Sequence, residues 1–163
     1  MKLRVSIERQ TLMLFNDAGR LLRRYPVSTA ALGAGEVRGS YQTPRGRHIV
    51  RAKIGAGVPA GAVFKARRWT GEICTAEAYA AQPERDWILS RILWLSGCEV
   101  GRNRLGQVDT MRRYIYLHGT PDQIELGRPS SHGCVRMRNS DIIELFDLVP
   151  CGTEVEIVEH EPV

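Results

Sequence analysis

The first 28 residues constrain the fold most. Leu3, Val5 and Ile7 alternate with Lys2, Arg4, Ser6 and Glu8, and apolar residues at every second position make a strand with one buried face. Thr11 to Phe15 reads as a second short strand, Asn16-Asp17-Ala18-Gly19 as a turn, and Arg20 to Ser28 as a third strand. Strands joined this tightly form an antiparallel meander, because a parallel crossover needs a dozen or more residues.

The rest of the chain continues in short elements. Residues 29–47 are rich in small residues and read as a long loop, followed by a strand from His48 to Ile54. Residues 55–71 read as an irregular excursion that carries Phe64 and Trp69. Glu72 to Ala81 suits a short helix ended by Pro83, and Trp87 to Leu95 an apolar strand. A polar loop spans Gly97 to Arg112. Tyr114 to Leu117 reads as a buried strand running into His118-Gly119-Thr120, with a loop over 121–133. Ile142, Ile143, Leu145, Phe146 and Val149 have the spacing of an amphipathic helix over Asn139 to Leu148, with Asn139 or Ser140 as its cap and Pro150 as its stop. Thr153 to Val158 alternates as a closing strand. Strands dominate without a βαβ rhythm, so the expected fold is mainly antiparallel β with one or two short helices, in a single domain over residues 1–163.

Composition narrows the function classes. The net charge is +5 and Lys occurs only at positions 2, 53 and 65, so the basic character comes from arginine. The arginines are spread along the chain, with no basic tract and no aromatic interleaving, which argues against nucleic acid as a partner. A soluble, carboxylate-bearing substrate fits the charge better. No stretch approaches the ~18 apolar residues of a membrane span. Residues 1–10 enter a strand directly, without an apolar h-region. The location expected from this is cytoplasmic, or periplasmic if an export signal is removed from the N-terminus.

Four cysteines occur, at 74, 98, 134 and 151, with no C-x-x-C pair. A lone cysteine is usually a small buried hydrophobe, which is the reading for Cys74, Cys98 and Cys151. Cys134 differs because Ser131, His132, Gly133 and Arg136 crowd around it. Gly133 allows the sharp backbone that lifts a sulfur out of a loop, and Arg136 supplies a charge favouring a thiolate. Its place upstream of a helix starting near residue 139 adds a dipole in the same sense. His118 ends a buried strand 16 positions upstream, and a base on a rigid strand facing a nucleophile on a loop is a Cys/His geometry. His132, two residues from Cys134, is better placed to orient the loop or to donate to an oxyanion. The residues alone leave open a buried structural cysteine, a nucleophile, and a metal site made of Cys134, His132 and His118. The last lacks regular ligand spacing and a fourth ligand. His48 and His160 read as strand or surface residues.

The run Ser131-His132-Gly133-Cys134-Val135-Arg136-Met137 resembles the signature of the L,D-transpeptidase (YkuD-domain) family, in which S/T-H-G-C precedes Arg or Asn by one residue. His118-Gly119-Thr120 matches the upstream His of that family in type and spacing. Val5 to Phe15, Tyr25-Pro26-Val27-Ser28 and Thr43-Pro44-Arg45-Gly46 are also similar, so the resemblance covers nearly the whole chain. It implies a compact β catalytic domain that uses neither metal nor organic cofactor and works through an acyl-enzyme.

The resemblance also implies roles. Cys134 attacks the carbonyl between a diamino acid and D-Ala in a peptidoglycan stem tetrapeptide. His118 takes and returns the proton, held by the carbonyl of Gly119. The N–H of Cys134, with that of Gly133, stabilises the oxyanion. Arg136 binds a substrate carboxylate, and Ser131 and His132 shape the loop that meets substrate. Phe64, Trp69 and the Gly97–Arg112 loop are expected over the peptide as a lid. Carbapenems are the expected covalent inhibitors. In the cytoplasm the substrates are free muropeptides, and the expected acceptor is water, which makes the reaction an L,D-carboxypeptidase step of wall recycling. The alternatives are amine transfer, forming 3-3 cross-links or exchanging D-amino acids, and a module that binds wall fragments without catalysis.

Overall fold

The alternation at the N-terminus becomes the first strand pair of the computed structural model, which describes residues 1–161. The single unit expected over 1–163 thus runs two residues past the described ones. β1 (Lys2–Ser6) buries Leu3 and Val5 completely and pairs antiparallel with β2 (Thr11–Phe15). β3 (Leu21–Ser28) continues the meander. The remaining strands are β4 (Gly46–Ile54), β5 (Ala62–Lys65), β6 (Arg68–Ile73), β7 (Ile88–Gly97), β8 (Tyr116–Gly119), β9 (Val135–Met137) and β10 (Glu154–Val158).

The sheet closes. In the order β4, β10, β1, β2, β3, β9, β8, β7 each strand pairs with the next, and β7 returns to β4. Closure removes the free edges of these strands. Most pairings are antiparallel, as expected; β1 with β10 and β8 with β9 are parallel. The leucines and valines of the ring meet in one core, into which α2 (Asn139–Leu148) inserts Ile142 and Leu145. Among the described residues, no helix is long and apolar enough to cross a membrane.

Three details differ from the sequence reading. The irregular excursion at 55–71 holds a hairpin, β5–β6, hung from β7 through β5. Its two-residue turn, Ala66-Arg67, has positive φ at both positions (48° and 62°), the backbone of a tight hairpin turn. All six residues of β6 are exposed, which leaves no alternation to read. The first helix, α1 (Ala76–Ala81), starts later than Glu72, because Thr75 caps it by accepting from the Ala78 N–H at 3.0 Å. In α2 the N-cap position is Arg138 and no side chain caps it; Asn139 spends its amide elsewhere.

Two cysteines also differ from expectation. Cys98 and Cys151 are exposed rather than buried, since each sits in a connection flanking a strand; Cys74 is half-buried. His160 is exposed and His48 lies in strand β4, both as read; His48 is completely enclosed there, between the Gly46 carbonyl and the Thr110 hydroxyl at 3.0 Å each.

Candidate active site

The site is assembled by the register of β9 on β8. His118 lies opposite Arg136 and Leu117 opposite Val135, so Cys134, just ahead of β9, stands beside Tyr116. The Tyr116 N–H donates to the Cys134 sulfur at 3.3 Å, and the thiol donates to the Tyr114 carbonyl at 3.3 Å. Cys134 thus leads into β9 rather than into the mouth of α2, so the expected helix dipole is not aimed along its own segment. The sulfur packs on the apolar cluster of Phe64, Ile92 and Tyr116.

The loop ahead of the cysteine is held from within. Ser131 is buried; its hydroxyl donates to the Cys134 carbonyl and accepts from the Gly133 N–H. That hydroxyl is therefore spent on loop shape. Gly133 has φ +135°, and a Cβ there would press on Ile115 at 3.1 Å and on the Gln42 carbonyl at 3.3 Å. Only glycine meets both demands. The Thr43 hydroxyl donates to the Gly133 carbonyl at 2.9 Å. His132 points outward, its ring edge-on to Tyr41 with centroids 6.1 Å apart.

His118 is buried, and its Nδ1 donates to the carbonyl of Gly119 at 2.6 Å. That bond fixes the tautomer with Nε2 unprotonated. Burial holds the imidazole below its usual range, against the opposing pull of the Gly119 carbonyl and of Asp86. The His118 support runs deeper. The Asn139 amide donates to the Thr120 carbonyl at 3.0 Å, and its oxygen accepts from Ser90 at 2.6 Å. A Cβ at Gly119 would meet Asn139 Oδ1 and come within 2.7 Å of the Leu89 carbonyl. Asn139, expected as a helix cap, instead braces the segment that orients His118.

His118, Cys134, Ser131, His132 and Arg136 all line one cleft of about 350 Å³. Among the described residues no hydrogen bond joins His118 to the thiol; the resting proton is on sulfur, directed at Tyr114. Burial pushes the thiol up to about 12, opposed by the Tyr116 N–H and by Arg136 and Arg113. The resting pair is thus a neutral thiol and a neutral imidazole.

Arg136 donates through Nη1 to the Ser130 carbonyl at 3.2 Å, while its Nη2 lies 3.8 Å from Asp86 and its buried Nε has no partner among the described residues. The Nε–Nη2 edge thus carries a buried, unpartnered Nε beside an Nη2 that faces Asp86. Of the expected lid, Phe64 lines the cleft with Lys65, Ala66 and Arg67, but Trp69 faces solvent and the Gly97–Arg112 loop lies away from it. Arg67 stacks over Trp94 and Tyr114 (5.1 and 4.7 Å) and donates to the Tyr116 hydroxyl at 3.1 Å, pinning the hairpin tip beside the cleft. Asp86, Arg113, Tyr114 and Tyr116 were not singled out from sequence. They reach the site through strand register and turn geometry, which leave no local signal. Among the described residues, no three His, Cys, Asp or Glu side chains converge as metal ligands.

Residues 2–157 match the YkuD family, the L,D-transpeptidase catalytic domain. The chain belongs to this family. The putative L,D-transpeptidase YkuD of Bacillus licheniformis is 27% identical over 157 residues, covering 96% of the chain and 64% of that protein. The probable L,D-transpeptidase YbiS of Escherichia coli K12 is 49% identical over 51 residues, 31% of the chain and 16% of that protein. The chain thus spans less than two thirds of these relatives. Among solved structures, L,D-transpeptidase 3 of Mycobacterium tuberculosis in complex with a faropenem-derived adduct superposes with a TM-score of 0.58 at 17% identity, over 96% of the chain and 59% of that structure. The L,D-transpeptidase of Xylanimonas cellulosilytica gives 0.54 at 20%, over 96% and 59%. At these identities the superpositions establish the YkuD fold.

Proposed function

We propose that the chain is a cysteine acyltransferase that cleaves the diamino acid–D-Ala bond of peptidoglycan tetrapeptides through a Cys134 thioester. The observation that carries the reading is the anchoring of His118 Nδ1 by Gly119, which leaves Nε2 as a neutral base on the wall of the cleft that holds the thiol. His118 takes the thiol proton as sulfur adds to the carbonyl, and gives it to the departing D-Ala nitrogen as the C–N bond breaks. The Cys134 N–H is the first donor to the oxyanion, with Gly133 N–H joining if it leaves Ser131; one such donor is typically worth ~3 kcal/mol. Arg136, on the cleft wall, receives the D-Ala carboxylate in place of Asp86, so a pentapeptide, with an amide at that place, is spared.

Water completes the reaction in this reading: His118 takes a proton from it as its oxygen adds to the thioester, the C–S bond breaks, the proton passes to the sulfur, and tripeptide leaves. Charge supports hydrolysis. Arg67, Arg113 and Arg136 line the cleft against the single carboxylate of Asp86, and an incoming ammonium is repelled where water is not. The four unpaired cysteines support a reducing, cytoplasmic setting. One observation favours amine transfer instead. A second cleft, of about 270 Å³ and containing Glu84, meets the first at His132 and Arg136 and offers room for an acceptor.

The experiment is mass spectrometry of a tetrapeptide muropeptide incubated with enzyme, with and without excess D-Met. Tripeptide and D-Ala as main products support hydrolysis. Dominant D-Met exchange or 3-3 linked dimers make amine transfer the reaction, and no cleavage at all leaves a binding module.

A further inference from the structure

Arg113 is a half-buried guanidinium whose hydrogen bonds all go to uncharged groups. It donates to the carbonyls of Gly35 at 3.2 Å and Gln42 at 2.6 Å, and to the Ser40 hydroxyl at 3.3 Å. Among the described residues no carboxylate pairs with it. The nearest influence of that kind, Glu36, is bound by Arg45 through both oxygens, at 2.8 and 3.2 Å. Clamping a loop through carbonyls needs only a neutral donor, and burying an unpaired charge for that purpose is costly.

The position of this charge explains its retention. The Gln42 carbonyl that it holds lies against Gly133, 3.3 Å from where a Cβ there would stand. The next residue along the chain from Arg113 is Tyr114, in a left-handed turn (φ 56°), whose carbonyl receives the thiol proton of Cys134. Arg113 is therefore tied to both neighbours of the thiol, the Gly133 backbone through Gln42 and the Tyr114 carbonyl through the chain, and it lines the same cleft as Cys134. Resting on the reading of Cys134 as nucleophile, we infer that Arg113 is a positioning residue whose fixed positive charge favours the Cys134 thiolate, acting across Gln42 and the Tyr114 turn without touching sulfur.

When the S–H bond breaks, the proton passes to His118 and the electron pair stays on sulfur. The Tyr114 carbonyl, which suits the thiol, then opposes the anion, and the charge of Arg113 offsets it. The other groups facing the sulfur are the Tyr116 N–H and hydroxyl, His118, His132, Arg67 and Lys65 from the hairpin, and Arg136 with Asp86. Of the cations, Arg136 stands beside a carboxylate, and Arg67 and Lys65 belong to the exposed hairpin tip, with Arg67 on aromatic rings; Arg113 is the half-buried one that no carboxylate pairs with among the described residues.

The test is the pH profile of iodoacetamide alkylation, followed on the Cys134 peptide because Cys98 and Cys151 are exposed. Arg113→Met and Arg113→Gln should slow alkylation at pH 8 about tenfold and move the profile up by about one pH unit. Arg113→Lys should stay within about threefold of the parent rate. An unchanged profile in a folded Arg113→Met or Arg113→Gln variant overturns the inference. So does an Arg113→Lys variant as slow as Arg113→Met, which makes the clamp and not the charge responsible. Loss of the folded state in all three variants also overturns it, since Arg113 is then scaffold. The readout does not use turnover, so it is separate from the fate of the nucleophile assignment, which fails if Cys134→Ala stays active.

Discussion

The ring of His118 is held by the carbonyl of its own neighbour, Gly119, at 2.6 Å. A backbone oxygen thus does for this imidazole what a carboxylate does in a serine triad, without adding a charge beside the base. Removal of the ring, His118→Ala, should lower turnover of tetrapeptide by about 10²–10⁴. His132→Ala should cost less, since that ring faces solvent beside Tyr41. Burial lowers the His118 value below the ordinary 6.5, so turnover should be complete at neutral pH and fall only below that range. The acid limb of kcat/KM should disappear in His118→Ala and persist in His132→Ala.

Gly119 should resist substitution although its φ is ordinary. A Cβ at this position meets Asn139 and the Leu89 carbonyl, and overpacking of this kind costs about 1–3 kcal/mol. Gly119→Ala should lower the free energy of unfolding by that amount and reduce kcat further than the stability loss accounts for, because the strain falls on the carbonyl that orients His118. A variant with parent-like kcat would show that the Asn139 brace has no part in positioning the base.

His48 should set much of the acid sensitivity of the fold. Burial lowers its value from 6.5 to about 4. The native ring stays neutral in that window while the unfolded ring takes up a proton. Stability is therefore full above about pH 6.5 and is lost as pH falls toward 4, by up to about 3 kcal/mol. Chemical denaturation at pH 7 and pH 4.5 should show this loss, and His48→Gln should reduce the difference. An equal loss in the variant would assign the acid sensitivity to other groups.

The parts legible in the sequence are those with a local cause. β1 and β10 are half-buried strands, so Leu3, Val5, Val155 and Ile157 carry the period directly, and β2 and β3 follow from their apolar runs and the turn between them. Gly133 and Cys134 were legible because a glycine beside a thiol between His and Arg has few uses. The hairpin β5–β6 was hidden because β6 is exposed along its length. β9 was hidden because three residues paired to non-local strands leave no periodicity. Asp86 and Arg113 gave no signal either: one arrives on the loop before β7, the other on a turn before β8, and only the closed sheet brings them to the sulfur. Asn139 shows the limit of capping rules, since its side chain found a better use beneath Thr120.

If Cys134 carries the acyl group, a β-lactam that acylates the site must be found on that sulfur. Intact-mass analysis after incubation with a carbapenem, with peptide mapping, should show one covalent adduct per chain on Cys134. The adduct should survive in Cys74→Ser, Cys98→Ser and Cys151→Ser and vanish, together with tetrapeptide turnover, in Cys134→Ala. An adduct that maps to another residue, or a Cys134→Ala chain that releases D-Ala at a rate near the parent's, would contradict the account.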